Sequence, residues 1–360
     1  RANISALKEL GCTHIIATTA VGSLRAEIKP GDLVILDQFI DFTRHRHTTF
    51  HQAFLPHKPL HAAMAEPFSG HLRQELIAAS LDFDFTTHQR GTVITIEGPR
   101  FSTRAESRLF RLWGADVINM SIATEAALAN EAGIPYAAVA MSTDYDSWEE
   151  NTEAVTWQAV LEVFRKNTER VMALIERTIS RLAARQSLRD KIRTVPNWPK
   201  PGIMFRDITT LLNNAAAFGQ AIELLSENYH NTQIDLVAGI EARGFIIGGA
   251  LAKLLGSGFV PIRKQGKLPA ATIQENYQLE YGAGRVEIHA DAFPAGSRVL
   301  VADDLIATGG TALAACNLIK QIHGEVVGCA FIISLPDLGG IQKLERAGYE
   351  TFSLIEFAGE

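Results

Sequence analysis

Short apolar runs alternate along the whole chain with stretches in which apolar residues return every three or four positions. This alternation predicts strands and helices in turn, the layout of α/β folds whose sheets are covered on both faces. In the first half the strand-like runs are 14–18, 33–40, 92–97, 117–120 and 136–141, with helices between them, notably 102–113 and 124–132. Over 155–184 the residues Val160, Phe164, Val171, Leu174 and Ile175 keep helical spacing, and the polar Arg185-Gln186-Ser187 ends the pattern. A boundary is predicted there, giving domains 1–186 and 187–360, and 360 residues suit two domains of about 100–200 each. The second half opens on a short helix, after which Pro196, Pro199, Pro201 and Gly202 impose an irregular segment. Strands are then expected at 236–240, 258–263, 298–303, 326–335 and 352–357. The chain opens inside an amphipathic pattern, Ala2, Ile4, Leu7 and Leu10, so the first domain is expected to begin upstream of Arg1.

Composition changes the picture mainly by exclusion. With 47% hydrophobic and 21% charged residues, the chain is neither disordered nor a disulfide-stapled miniature. Up to Gln186 there are 19 basic and 22 acidic residues, and after it 15 and 18, so each half nets −3 and neither is expected to bind nucleic acid. Cys12, Cys316 and Cys329 are odd in number and far apart, which fits reduced thiols and a cytoplasmic protein. The longest apolar run, 326–335, is too short to span a bilayer, so no membrane partner is expected.

Residues 299–312, Val-Leu-Val-Ala-Asp-Asp-Leu-Ile-Ala-Thr-Gly-Gly-Thr-Ala, read as a buried strand ending in Asp303 and Asp304. A loop of small residues, Ala307, Thr308, Gly309 and Gly310, then opens a helix predicted over 312–322. Glycines let main-chain N–H groups approach a phosphate, the helix N-terminus adds roughly half a positive charge, and Thr308 and Thr311 add hydroxyls. The two acids would meet sugar hydroxyls or a magnesium ion. An isolated Gly-Gly is equally a capped turn, but the whole string resembles the phosphoribosyl-diphosphate signature of type I phosphoribosyltransferases.

Its surroundings narrow that resemblance to the adenine phosphoribosyltransferases, over 188–360. Pro201-Gly202-Ile203-Met204-Phe205-Arg206-Asp207-Ile208-Thr209 resembles their purine-side segment, with Phe205 and Arg206 as substrate contacts. Glu241-Ala242-Arg243-Gly244-Phe245 resembles the diphosphate loop, Arg263-Lys264-Gln265-Gly266-Lys267-Leu268-Pro269 the basic loop, and Tyr277-Gln278-Leu279-Glu280-Tyr281-Gly282 the mobile catalytic hairpin. The resemblance implies a Rossmann-like parallel sheet and transfer of phosphoribosyl to adenine, giving AMP and diphosphate. Arg243, Lys264, Lys267 and Mg²⁺ would then neutralise the leaving diphosphate. An oxocarbenium-like ribose is hydrolysed by stray water, so the segment 271–281, which carries Tyr281, would close first, with Glu280 managing the purine proton.

In the first half, Thr18-Thr19-Ala20-Val21-Gly22-Ser23-Leu24 follows a strand and offers hydroxyls and bare backbone. Together with Ile96-Glu97-Gly98-Pro99-Arg100-Phe101-Ser102-Thr103-Arg104-Ala105-Glu106, Asn119-Met120-Ser121 and Ser142-Thr143-Asp144-Tyr145-Asp146-Ser147-Trp148, it resembles the trimeric purine nucleoside phosphorylases, specifically the methylthioadenosine phosphorylases, over about 1–180. The resemblance implies a mixed sheet with helices. It places Thr19 and Ala20 at phosphate and sugar, Phe101 on the base, Met120 and Ser121 at the ribose, and Ser102 as a further substrate contact. Asp144 would protonate purine N7, which requires a raised pKa, and Asp146 would accept from the exocyclic amine, selecting a 6-amino purine. His61 matches a position that reaches a neighbouring subunit's substrate, which implies a trimer. Trp157 stands where relatives carry a smaller apolar residue beside the 5′ substituent, leaving methylthio and hydroxyl both open. The family's glycine-rich phosphate loop and Arg-His contact would lie upstream of Arg1. The cluster Arg44-His45-Arg46-His47 with His51 is read as an anion contact or plain loop, since its arginines repel a cation.

The expectation is therefore a fused purine-salvage enzyme, a homo-oligomer taking methylthioadenosine, phosphate, adenine and phosphoribosyl diphosphate. The alternative is an active transferase whose N-terminal half is only a binding or assembly module. Trimeric and dimeric symmetries combined would build a hexamer.

Overall fold

The computed structural model describes residues 1–51, 53, 61–149, 157–279 and 282–359, and the chain divides into two compact units, Arg1–Leu182 and Ala183–Glu360. The first unit runs α1 (Ala2–Glu9), β1 (Ile15–Ser23), β2 (Leu33–Ile35), β3 (Gln38–Phe42), α2 (Gly70–Ser80), β4 (Thr87–His88), β5 (Thr92–Ile96), α3 (Arg104–Leu112), β6 (Val117–Asn119), α4 (Ile122–Glu131), β7 (Tyr136–Tyr145) and most of α5 (Trp157–Asp190). Its mixed sheet has the order β3-β5-β6-β1-β7-β2-β4, with β1 and β7 parallel at the centre and β6 and β2 antiparallel to them. Alternate residues of the central strands feed opposite faces. Ala138 and Ala140 pack with Val34, Ile122 and Leu128, while Ala137 and Val139 pack with Leu33, Leu72 and Leu174. Burial on both faces is why β7 reads as one continuous apolar run.

Two local features differ from the sequence expectation. The strand expected over 33–40 breaks after Ile35, because the Asp37 carboxylate takes the Gly91 N–H at 3.0 Å and β3 starts afresh at Gln38. The helix expected from 102 begins at Arg104, where a capping box forms: Thr103 Oγ1 accepts from the Glu106 N–H and the Glu106 carboxylate accepts from the Thr103 N–H. Ser102 is thereby left outside the helix.

The second unit holds the end of α5, then β8 (Arg193–Pro196), β9 (Met204–Asp207), α6 (Thr209–Leu212), α7 (Ala215–Glu227), β10 (Leu236–Ile240), α8 (Arg243–Leu255), β11 (Gly258–Lys264), β12 (Thr272–Leu279), β13 (Gly282–His289), β14 (Arg298–Ile306), α9 (Gly310–Gln321), β15 (Glu325–Ser334), α10 (Gly340–Arg346) and β16 (Thr351–Glu356). The sheet order is β12-β13-β11-β10-β14-β15-β16: five parallel strands with an antiparallel hairpin at one edge. The chain leaves β10 toward one side and β14 toward the other. The crevice between their carboxyl ends is a topological switch point, where open α/β sheets bind ligands.

Helix α5 does not stop at Arg185-Gln186-Ser187 but continues to Asp190 and takes the place of the separate short helix expected there. Leu188 is wholly buried in the second core, and Arg185 donates to the Leu354 carbonyl at 2.8 Å with its guanidinium 5.3 Å from the Phe352 ring centre. Arg189 stacks on Phe357 in the same way, at 4.7 Å. One and two turns earlier the arginines serve the first unit: Arg181 reaches Glu75 at 3.0 Å and Arg177 reaches Asp82 at 2.5 Å. Among the described residues no helix is long and apolar enough to cross a membrane.

Candidate active sites

In the first unit the site forms where β1 and β7 end. Register slips between Val21 and Gly22, so Val21 faces Ser142 but Gly22 faces Asp144, and Thr143 becomes an extra residue. Such a bulge re-aims side chains at a strand end. The Thr143 hydroxyl lies 3.2 Å from the Val21 carbonyl and 2.6 Å from Asp144 Oδ1. Gly22 lies between the two aspartates: a Cβ there would stand 3.4 Å from the Asp146 Cβ and 3.7 Å from Asp144 Oδ2, ordinary contact distances, while the tighter 3.2 Å approach would be to Ile118. The Asp146 N–H donates to the Ser23 carbonyl at 2.9 Å, and the same carbonyl receives Trp148 Nε1 at 2.8 Å.

The two carboxyl groups are treated differently. Burial pushes the Asp144 carboxyl above the usual aspartate range; the Thr143 hydrogen bond opposes this and the Asp146 charge adds to it. Asp146 is buried and accepts from the Ser102 hydroxyl, which lies 2.8 and 2.6 Å from its two oxygens. Ser102 can serve it because the capping box starts α3 later. Thr19 is buried on β1, Met120 packs under Gly98 where a Cβ would meet its Sδ at 2.8 Å, and Ser121 precedes α4.

The remaining sequence assignments sit differently. Phe101, expected to pack on the base, is 75% exposed, with none of the described residues of this unit covering it. His61 is exposed. Trp157 is the first residue of α5, and its side chain lies outside the described residues. The loop 44–46 folds round Glu97, whose carboxylate receives the Arg44 and His45 N–H groups at 2.9 and 3.0 Å and Arg46 Nε at 2.9 Å, holding its pKa at about 2.

In the second unit the switch point gathers most of the residues expected there. Asp303 and Asp304 lie near the carboxyl end of β14, which runs on to Ile306, three residues past the strand end expected from the sequence; Arg243 opens α8 shortly after β10. Arg243 Nε reaches Asp304 Oδ2 at 2.5 Å, its guanidinium carbon lies 5.6 Å from the Phe205 ring centre, and Asp303 Oδ1 accepts the Asp304 N–H at 2.8 Å. Burial, and then the charge of Asp304, push the Asp303 carboxyl well above the usual range, with Arg243 pulling the other way. Gly244 is required here, since a Cβ would stand 2.8 Å from both the Ala302 carbonyl and Asp303 Oδ1. The loop 307–310 lies on α10: a Cβ on Gly340 would meet the Ala307 carbonyl at 2.2 Å. Gly309, at φ +72°, caps α9, which starts at Gly310, two residues earlier than expected, leaving Thr308 and Thr311 either side of its N-terminus.

The basic loop is held by two acids that sequence reasoning missed. Glu241 accepts from the Lys264 N–H and Arg263 Nε, both at 3.1 Å. Glu287, 2% exposed, accepts from the Lys267 and Leu268 N–H groups at 2.9 and 3.1 Å. Burial pushes both carboxyls up, but these donors outweigh it and leave both lowered. Lys264 and Lys267 stay exposed and, among the described residues, unpaired. Arg206 departs from expectation. Successive residues of β9 face opposite ways, so Phe205 meets Arg243 while the Arg206 guanidinium binds Thr194 Oγ1 at 2.6 Å and stacks on Phe357 at 4.4 Å. Glu280 and Tyr281 lie outside the described residues.

The acid pair offers hard oxygen ligands, one already taken by Arg243. Among the described residues no group of three His, Cys, Asp or Glu could hold a metal. The pair fits a magnesium ion that draws most of its ligands from substrate phosphates and hydroxyls, as this ion commonly does.

Comparison with known proteins agrees with both halves. A model of the phosphorylase superfamily matches residues 1–180, and one of the phosphoribosyl transferase domain matches 208–355. Over 182 residues, 51% of this chain and 98% of the relative, the chain is 56% identical to an adenine phosphoribosyltransferase of Rhizobium johnstonii. Among solved structures it is similar to the adenine phosphoribosyltransferase of Thermoanaerobacter pseudethanolicus, with 46% identity over 48% of this chain and 99% of that one and a TM-score of 0.47. It is also similar to a methylthioadenosine phosphorylase of Schistosoma mansoni in complex with adenine, with 40% identity over 51% of this chain and 70% of that one and a TM-score of 0.48.

Proposed function

We propose that this chain, which belongs to the phosphorylase superfamily over residues 1–180 and to the adenine phosphoribosyltransferase family over its other half, is a bifunctional purine-salvage enzyme. One site cleaves methylthioadenosine with phosphate; the other converts adenine to AMP. The observation that carries the reading is the aspartate pair flanking Gly22: Asp144, biased toward holding a proton, beside Asp146, an acceptor held by Ser102. Donor and acceptor side by side suit N7 and the 6-amino group of adenine, the base that the other half's family uses.

In the first reaction the glycosidic electrons move onto the purine as a phosphate oxygen attacks C1′. Asp144 supplies the proton that lets neutral adenine leave. In the second, adenine N9 attacks C1′ of phosphoribosyl diphosphate, diphosphate leaves, and the N9 proton passes to a base, the role assigned to Glu280. Phe205 offers a face to the purine, the loop 307–311 its N–H groups and hydroxyls to the 5′-phosphate, and Lys264 and Lys267 their charge to the diphosphate. Arg243 joins them once Asp304 turns to the ribose. Asp303 and Asp304 would hold Mg²⁺ with the substrate, and its charge would further neutralise the diphosphate. His61 is assigned to a second subunit's pocket, making the assembly a homo-oligomer.

The test supplies purified protein with methylthioadenosine, phosphate, phosphoribosyl diphosphate and Mg²⁺, following adenine and AMP together. AMP formed without added adenine is expected. AMP only from added adenine would leave the first unit as a binding or assembly module.

A further inference from the structure

Beneath Thr19 runs a buried chain of hydrogen bonds whose direction is fixed at its far end. The Ala123 N–H, at the start of α4, donates to Thr95 Oγ1 at 3.1 Å. With the Ala123 N–H on one of its lone pairs, Thr95 donates its own hydroxyl hydrogen to Asn119 Oδ1 at 2.8 Å. The Ser121 N–H also points at Asn119 Oδ1, at 3.4 Å. The Ser121 N–H thus fixes which end of the Asn119 amide is oxygen, and the Thr95 hydroxyl donates to that same oxygen. Its Nδ2 is left to donate to Thr19 Oγ1 at 3.2 Å. The Thr19 hydrogen must then point outward, where it finds the carbonyl of adjacent Ala20 at 3.2 Å. Thr95 is fully buried, Asn119 is 6% exposed and Thr19 8% exposed, so water does not compete along the chain.

We infer that Asn119 is a positioning residue that holds the Thr19 hydroxyl as a hydrogen-bond donor, so that this position takes an acceptor-only ligand atom, an oxygen of inorganic phosphate. This rests on the phosphorolytic reading of the first unit and adds to it how a neutral hydroxyl is committed to an anion. A threonine free to rotate presents lone pairs as readily as its hydrogen. Here one lone pair is occupied from behind by Asn119 Nδ2, which keeps the hydrogen off that side, and the weak bond to the neighbouring carbonyl is readily exchanged for a charged acceptor.

The experiment measures adenine release by the whole chain as phosphate is varied, and separately the Kd of methylthioadenosine without phosphate. Asn119→Asp keeps size but offers an acceptor to Thr19, turning its hydrogen inward. The expected result is a KM for phosphate raised at least tenfold with nucleoside Kd unchanged within twofold, a split that general loosening of the fold does not produce. Thr95→Val removes the relay at its far end and keeps shape; a rise of threefold or more in the same constant is expected, and this variant decides the matter should Asn119→Asp not fold. Unchanged phosphate KM, or equal losses for phosphate and nucleoside, overturns the inference. Failure of the underlying reading is seen separately in the unaltered chain, as nucleoside binding without phosphate-dependent adenine release, and that result overturns the inference too.

Discussion

Both units place their acids at the carboxyl end of a central strand, Asp144 on β7 and Asp303-Asp304 on β14, yet they surround them in opposite ways. In the first, among the described residues, no Lys or Arg pairs with Asp144 or Asp146; a hydroxyl serves each. In the second, Arg243 meets Asp304 and a loop carrying Lys264 and Lys267 is pinned nearby by Glu241 and Glu287. On the reactions proposed above, the contrast follows from what each bond cleavage releases. A departing purine needs a proton, which an acid holds ready only if burial outweighs whatever stabilises its ionised form, as it does at Asp144 over the Thr143 hydrogen bond. A departing diphosphate needs positive charge, and the acids there must be compatible with cations.

The largest effect that sharpens this comparison should come from Asp303→Asn with Asp304→Asn. Both side chains keep their size, so β14 should stay folded while AMP formation falls at least about a hundredfold. Near-normal turnover by the double variant would refute the assignment. Next, Asp144→Asn should slow adenine release by roughly a hundredfold, since it can no longer transfer a proton. Stability should move the other way. A carboxyl whose folded pKa is raised carries no penalty below its unfolded pKa and becomes destabilising as pH rises through the folded one. Asp144→Asn should therefore match the parent in urea midpoint at acid pH and exceed it at neutral pH; a lower midpoint at neutral pH would contradict the burial argument.

Asp146→Asn adds a donor beside the acceptor, so kcat/KM for 6-oxo relative to 6-amino nucleosides should rise by about tenfold, the worth of one buried hydrogen bond. A preference that does not move would remove Asp146 from base selection. The smallest catalytic effect is expected from Arg206→Met. Its guanidinium is spent on Thr194 and Phe357, so AMP formation should stay within about threefold while the fold loses ~1 kcal/mol of packing and hydrogen bonding, read as a lower melting temperature. A collapse of turnover at normal stability would return Arg206 to the site.

What could be read from sequence was what is contiguous. The string 299–312 carries strand, acids, loop and helix start within one stretch, and the structure assembles it much as it is spelled. Glu287 was illegible because its partners, the N–H groups of Lys267 and Leu268, lie twenty residues away and carry no side-chain signature. The Thr143 bulge was illegible because register belongs to two strands at once. Asn119 lies within one of the phosphorylase-like strings, but its role depends on Thr95 and Ala123, which only pairing of β5 with β6 brings near. Polarity misled at Arg185 and Arg206, which bury long side chains against aromatic rings while satisfying their charges on oxygens. Phe101 shows the converse, an aromatic side chain left in solvent.

The arginines of α5 at 177, 181, 185 and 189 recur every fourth residue, the first two bonded within one unit and the last two within the other. Anyone wishing to express the two units apart will find no neutral place for the scissors. A cut after Leu182 leaves the transferase beginning a few residues before Arg185, on a turn that must then nucleate without the helix ahead of it. A cut after Asp190 removes Arg185 and Leu188 from the core that buries them, while the phosphorylase inherits two turns with nothing of their own to cover. The workable excision is an overlapping one, with the helix copied into both halves.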